Sequence, residues 1–67
     1  MAGWFLDIRD ERGTTVSSLK DVSFADVKVR IIDAKKLGEI VTFTPPLNVP
    51  RIEIDELVRM GARKSLP

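Results

Sequence analysis

The chain contains no cysteine, no histidine and no tyrosine. Without cysteine there is no disulfide framework and no thiolate metal site. Losing histidine as well removes the most versatile acid–base group and the commonest partner of a nucleophile, so no Ser–His or Cys–His arrangement can form. Zinc and other transition metals are left with carboxylates alone. Asp7, Asp10 and Glu11 lie close together, as do Glu53, Asp55 and Glu56. Neither group has the regular ligand spacing of a calcium loop, and both read as solvated surface acids. Gly13, Gly38 and Gly61 are isolated and match no phosphate loop. The expectation is a protein without catalysis, cofactor or metal.

Long apolar runs are missing too. Trp4-Phe5-Leu6 is followed at once by Asp7, far short of the roughly 20 residues that span a bilayer. Asp7, Asp10 and Glu11 also break any signal-peptide pattern near the start. No membrane association is expected, and the cysteine-free composition suits a reducing cytoplasm.

What remains is ordinary globular material. The 67 residues are 43% hydrophobic and 31% charged, with 11 basic and 10 acidic side chains giving a net charge of +1. Disordered chains have fewer apolar residues or a larger net charge. The length suits one domain, expected over residues 1–61, with 62–67 as a frayed tail. From Leu57 onward Arg59, Arg63 and Lys64 occur with no acid, a mild basic bias well below that of most nucleic-acid domains.

Trp4 to Arg9 alternates, with Trp4, Leu6 and Ile8 on one face and Phe5, Asp7 and Arg9 on the other. That is the period of a half-buried strand. Asp10-Glu11-Arg12-Gly13 supplies turn chemistry, and Thr14 to Leu19 reads as the returning strand of a hairpin. The middle of the chain has two readings. Ser23-Phe24-Ala25-Asp26 resembles a helix N-cap, and Gly38 resembles a helix stop. Winding Phe24 to Leu37 at about 100° per residue, however, puts Lys28 and Lys35 inside the apolar arc. As a strand, Val27, Val29 and Ile31 share a face, and β-branched residues dominate the stretch. The strand reading is preferred, with Asp33 to Gly38 as a hairpin loop and Glu39 to Thr44 as the return. Pro45 and Pro46 then end that strand, and Leu47 to Pro50 forms an extended loop. Arg51 to Ile54 alternates again, and Asp55 caps a short helix from Glu56 to Met60.

These elements predict a mainly β fold: a small antiparallel barrel or rolled sheet, SH3-like or OB-like, with a short C-terminal helix. The alternative is α+β with a helix at 24–37. Trp4, Leu6, Ile8, Val29, Ile31 and Phe43 are the expected core. The run Val29-Arg30-Ile31-Ile32-Asp33, followed by Leu37-Gly38-Glu39-Ile40, resembles the first hairpin in the N-terminal domain of bacterial translation initiation factor three. The proline segment stands where that family has a long helix, and no function is carried over.

Two kinds of surface stand out. Phe5 lies on the polar face of its strand, where an exposed aromatic can anchor a protein partner. Pro46, Leu47 and Val49 belong to a segment able to present a polyproline-type ligand, and Arg59 marks the final helix. These five residues make up the expected contact with a protein partner or a second copy. The second surface is basic. Lys28, Arg30, Lys35 and Lys36, supported by Arg63 and Lys64, could track a phosphate backbone, although Asp26, Asp33 and Glu39 interleave with them. A non-catalytic binding module for a protein partner or self-association is therefore expected. A nucleic-acid-binding accessory protein is the alternative.

Overall fold

A computed structural model describes residues 3–65. Strand β1 (Trp4–Arg9) is followed by β2 (Thr15–Val22), α1 (Phe24–Lys36), β3 (Ile40–Thr44), α2 (Arg51–Arg59) and β4 (Arg63–Lys64). The strands form one open sheet in the order β2-β1-β3-β4. β1 is antiparallel to both neighbours, whereas β3 and β4 run parallel. The architecture is α+β, and the expected barrel is not formed.

The first hairpin is built as its residues suggest. The Asp10 carboxylate accepts from the backbone N–H groups of Arg12 at 2.9 Å and Thr14 at 3.0 Å. Gly13 takes φ +83° to complete the turn, a conformation that costs glycine little. At the far end of the hairpin, Asp21 sits at φ +55° beside a shift in the β1–β2 register. A Cβ on Gly3 would come within 2.7 Å of the Asp21 backbone, so only glycine lets the chain pass the bulge this closely.

The expected strand over Val27–Ile32 is instead the middle of α1, and the α+β alternative describes the middle of the chain. The resemblance to a hairpin ends here, since Val29 to Lys36 is helical. Both helix ends are specified locally. Ser23 is the N-cap, its hydroxyl accepting from Asp26 N at 3.3 Å. At the other end Glu39 N donates to Ala34 O at 2.9 Å and Gly38 N to Lys35 O at 3.3 Å. With Gly38 at φ +73°, this is a Schellman stop.

The apolar residues of α1 do not all belong to the core, so its apolar arc is narrower than a full helical wheel implies. Only Val27, Ile31 and Ala34 are fully buried, with Phe24 packed beside them, a narrow stripe at helical spacing. Val29, expected in the core, is 55% exposed, and Ile32 and Leu37 also face outward. Lys28 and Lys35 therefore need not be buried. Lys28 lies over the Phe24 ring at 4.8 Å and reaches Glu56 at 3.4 Å, covering apolar surface with its stem while its charge stays at the edge.

α2 begins earlier than expected. Arg51 to Ile54, read as alternating strand, forms its first turn after Pro50, with Glu53 N donating to Pro50 O at 3.1 Å. Asp55 consequently lies within the helix and does not cap it. A second Schellman stop follows, in which Ala62 N donates to Leu57 O at 3.1 Å and Gly61 N to Val58 O at 3.0 Å. Leu57 and Ala62 are both buried, supplying the apolar contact that accompanies this motif. Residues 62–67, read as a tail, thus start with buried Ala62 and continue as β4. Leu66 and Pro67 lie outside the described residues.

The helices and the core share one side of the sheet. Trp4, Leu6 and Ile8 of β1 and Val41 and Phe43 of β3 meet the buried stripe of α1, with Leu57 from α2. Trp4 stands edge-on to Phe43 at 5.8 Å and tilted to Phe24 at 5.5 Å. Truncating a buried aromatic costs about 3–5 kcal/mol. We predict that Trp4→Ala loses a stability of this order in chemical denaturation. Val29→Ala, at an exposed helical site, should stay within about 0.5 kcal/mol of wild type. A comparable loss in both variants would contradict the helical packing.

Candidate functional site

Alternation along β1 divides its side chains between two environments. Trp4, Leu6 and Ile8 enter the core, which sends Phe5, Asp7 and Arg9 to the side that neither helix covers. Pairing sets their neighbours. Phe5 stands opposite Thr44, and Asp7 lies between Thr42 on β3 and Ser18 on β2. On β4, Arg63 pairs with Thr42. The open face is therefore a hydroxyl-rich surface with one aromatic toward the end where β1 begins and β3 ends.

Phe5 is 45% exposed, and it is the only aromatic classed as exposed among the described residues. Beside it is a shallow depression of about 270 Å³, lined also by Ser18, Lys20, Thr42 and Thr44. The polar groups around it are largely organised by one another. Asp7 accepts from Arg9 Nε at 3.0 Å and from the Ser18 hydroxyl at 3.4 Å. The hydroxyls of Thr44 and Ser65 lie 2.8 Å apart. Lys20 has no ion-pair partner among the described residues. The surface thus offers an aromatic ring, hydroxyls that donate and accept, and a free ammonium group.

The other residues expected at a protein contact do not gather around Phe5. Val49 packs against the core, on the helix side of the sheet. It lines a separate cleft of about 390 Å³ with Arg51, Ile54, Asp55 and Lys64. Pro46 is half-buried, Leu47 projects with 88% of its surface exposed, and Arg59 is exposed at the end of α2.

The basic residues are dispersed as well. Lys28 pairs with Glu56 of α2. Arg30 lies on the opposite flank of α1, beside Val16 and Ser17 of β2. Lys35 and Lys36 are exposed in the last turn. Arg63 neighbours Thr42 of the open face, while Lys64 pairs with buried Phe43 and borders the Val49 cleft. On the helix Lys28 and Lys35, seven residues apart, stay on one flank, whereas Arg30, expected beside Lys28 on a strand face, is turned toward β2.

Sequence reasoning did not single out Lys20, Ser18, Thr42 or Thr44. Alternation of Thr42 and Thr44 with buried Val41 and Phe43 carries that signal for β3. The register of β2 does not follow from its sequence, because bulges shift it at both ends. Among the described residues, no three His, Cys, Asp or Glu side chains come together to hold a metal ion. No described helix is long and apolar enough to cross a membrane.

No protein-family model, curated protein or solved structure matches the chain.

Because Phe5 contributes mainly a cross-strand contact with Thr44, its removal should cost less than about 1 kcal/mol. We predict that Phe5→Ala folds and unfolds near the wild-type denaturant midpoint. A loss like that of a core aromatic would show that Phe5 serves packing rather than contact.

Proposed function

We propose that this domain is a non-catalytic binding module that engages a protein partner through the open face of its sheet, with Phe5 as the anchor. The observation that carries this reading is the exposed Phe5 ring next to a depression on a face that no helix covers. Aromatic anchors beside such depressions dominate many protein contacts, and surrounding polar groups provide registry. The Asp7–Arg9–Ser18 arrangement presents hydrogen-bonding groups that are already oriented. Such preorganisation lowers the entropic cost of association. A cysteine-free chain suits work in a reducing compartment such as the cytoplasm.

Nucleic-acid binding ranks second. Its support is the presence of Arg9, Lys20 and Arg63 around the same aromatic face, a combination that single-strand binders use. Against it stand the Arg9–Asp7 pair, which occupies one of these three cations, and a net charge of only +1.

Salt separates the two readings, because phosphate contacts release counterions and weaken steeply as salt rises. We predict no tight complex with labelled single- or double-stranded oligonucleotides at about 0.15 M salt. In a native lysate treated with nuclease, a protein captured by wild type should be lost with Phe5→Ala. Tight oligonucleotide binding at that salt, abolished in a folded Lys20→Ala/Arg63→Ala variant, would replace the protein reading with the nucleic-acid one.

A further inference from the structure

β2 is an outer strand of eight residues, and among the described residues no strand pairs with its free side. Unpaired edges are templates for a further strand, and proteins commonly blunt them with bulges and charges. Here the bulges fall toward the two ends, leaving Ser17, Ser18 and Leu19 in regular register with Ile8, Asp7 and Leu6. The middle of β2 is therefore regularly paired on its β1 side, and its outer backbone is open to pairing.

The surroundings of this edge differ between the two sides of the sheet. α1 packs chiefly on β1 and β3, so β2 overhangs the helical layer. Between β2 and α1 runs a groove of about 280 Å³, with Val16 and Ser17 on the strand side, Leu37 and Ala34 on the helix side, and Arg30, Asp33 and Glu39 along its rim. Leu37 is 70% exposed. On the opposite side, the Phe5 depression is bordered by Ser18 and Lys20 of the same strand. One edge thus has a groove of mixed lining, apolar at Val16 and Leu37, on one side and the Lys20 ammonium on the other.

Side chains of an added strand would alternate between these two environments. Residues directed to the helix side would meet the exposed side chains of Val16 and Leu37, apolar contacts, while Asp33 and Glu39 on the rim disfavour a second row of acids there. Those directed to the open side would meet Lys20, which lacks an ion-pair partner among the described residues and would attract an acid. We infer that the partner contributes an extended segment of alternating apolar and acidic residues, which adds to β2 as a fifth strand. This rests on the protein-binding reading above and specifies its mode. Backbone pairing supplies attachment in such complexes, and alternate side chains supply selectivity.

A second copy of the chain fits this edge less well. Pairing two β2 strands would place the two α1 axes roughly four strand spacings apart, about 19 Å. Packed helices lie about 8–10 Å apart, so the helical layers would not meet. The contact would be confined to the strands, which is small for a stable dimer.

The test uses the full chain, isotopically labelled, and a short synthetic peptide alternating valine with glutamate. Controls are a peptide of the same composition with its order scrambled and one with lysine replacing glutamate. The alternating acidic peptide should slow amide exchange within Ser17–Leu19 and give cross-strand contacts to β2 in NMR spectra. Lys20→Glu should weaken that peptide about threefold, in line with an exposed ion pair, and favour the lysine peptide instead. Leu37→Ala, at an exposed position, should weaken both. Absence of binding, or equal binding by the scrambled peptide, would overturn strand addition. So would a doubled molar mass in solution with β2 protected without peptide. Perturbation confined to Phe5, Thr42 and Thr44, with the β2 amides unprotected, would overturn strand addition while leaving the protein-binding reading standing.

Discussion

Trp4 touches Phe43 across the sheet and Phe24 on the first helix, and the rest of the arrangement depends on that three-way contact. It joins β1 to α1 and β3, which follow it in the chain only after the whole of β2, so the packing of the sheet and the seating of the helix are coupled. With Trp4 facing the helix, strand alternation sends Phe5 to the opposite side. With α1 centred on β1 and β3, β2 is left beyond the helical layer. The open face and the bare edge thus follow from where one large apolar side chain is buried. Such a domain has little core to spare, since small chains bury a limited share of their surface.

Much of the β structure was legible because alternation leaves little freedom. Trp4-Leu6-Ile8 and Val41-Phe43 can share a face only if both segments are strands, and Asp10 with Gly13 marks the turn between the first two. The first helix was harder to read. Val27, Val29, Ile31 and Ile32 favour a strand locally, and the caps at Ser23 and Gly38 were the contrary signal. Capping, together with a buried stripe only a few residues wide, overrode local preference. The start of α2 was obscured because Ile52 and Ile54 also fit alternation, and Pro50 supplies no side-chain cap.

Phe5 was the part of the candidate surface most accessible to sequence reasoning, since its position opposite the core face follows from alternation alone. Its neighbours depend on strand order and register, which are tertiary properties. Pairing brings Ser18, Thr42 and Ser65 to one surface from widely separated parts of the chain. Conversely, Lys28 and Arg30, which a strand would place on one face, lie on different flanks of α1. The same side chains acquired a different geometry when the backbone period changed from two to 3.6 residues.

The two sides of β3 carry very different amounts of structure. Toward β1 it has five paired positions, whereas toward β4 it has two, reinforced by the Ser65 N–H donating to Phe43 O at 2.8 Å. Short peripheral pairings lie at the low end of local opening free energies, so β4 is the strand expected to detach first, held mainly by buried Leu57 and Ala62 beside it. Opening there would uncover the β3 edge beside Phe43 without dismantling the Trp4 cluster. The sheet therefore has unequal borders, one strand deep in paired contacts and one held by two positions, and the exposure of the β3 edge would be set by how firmly Leu57 and Ala62 hold β4 in place.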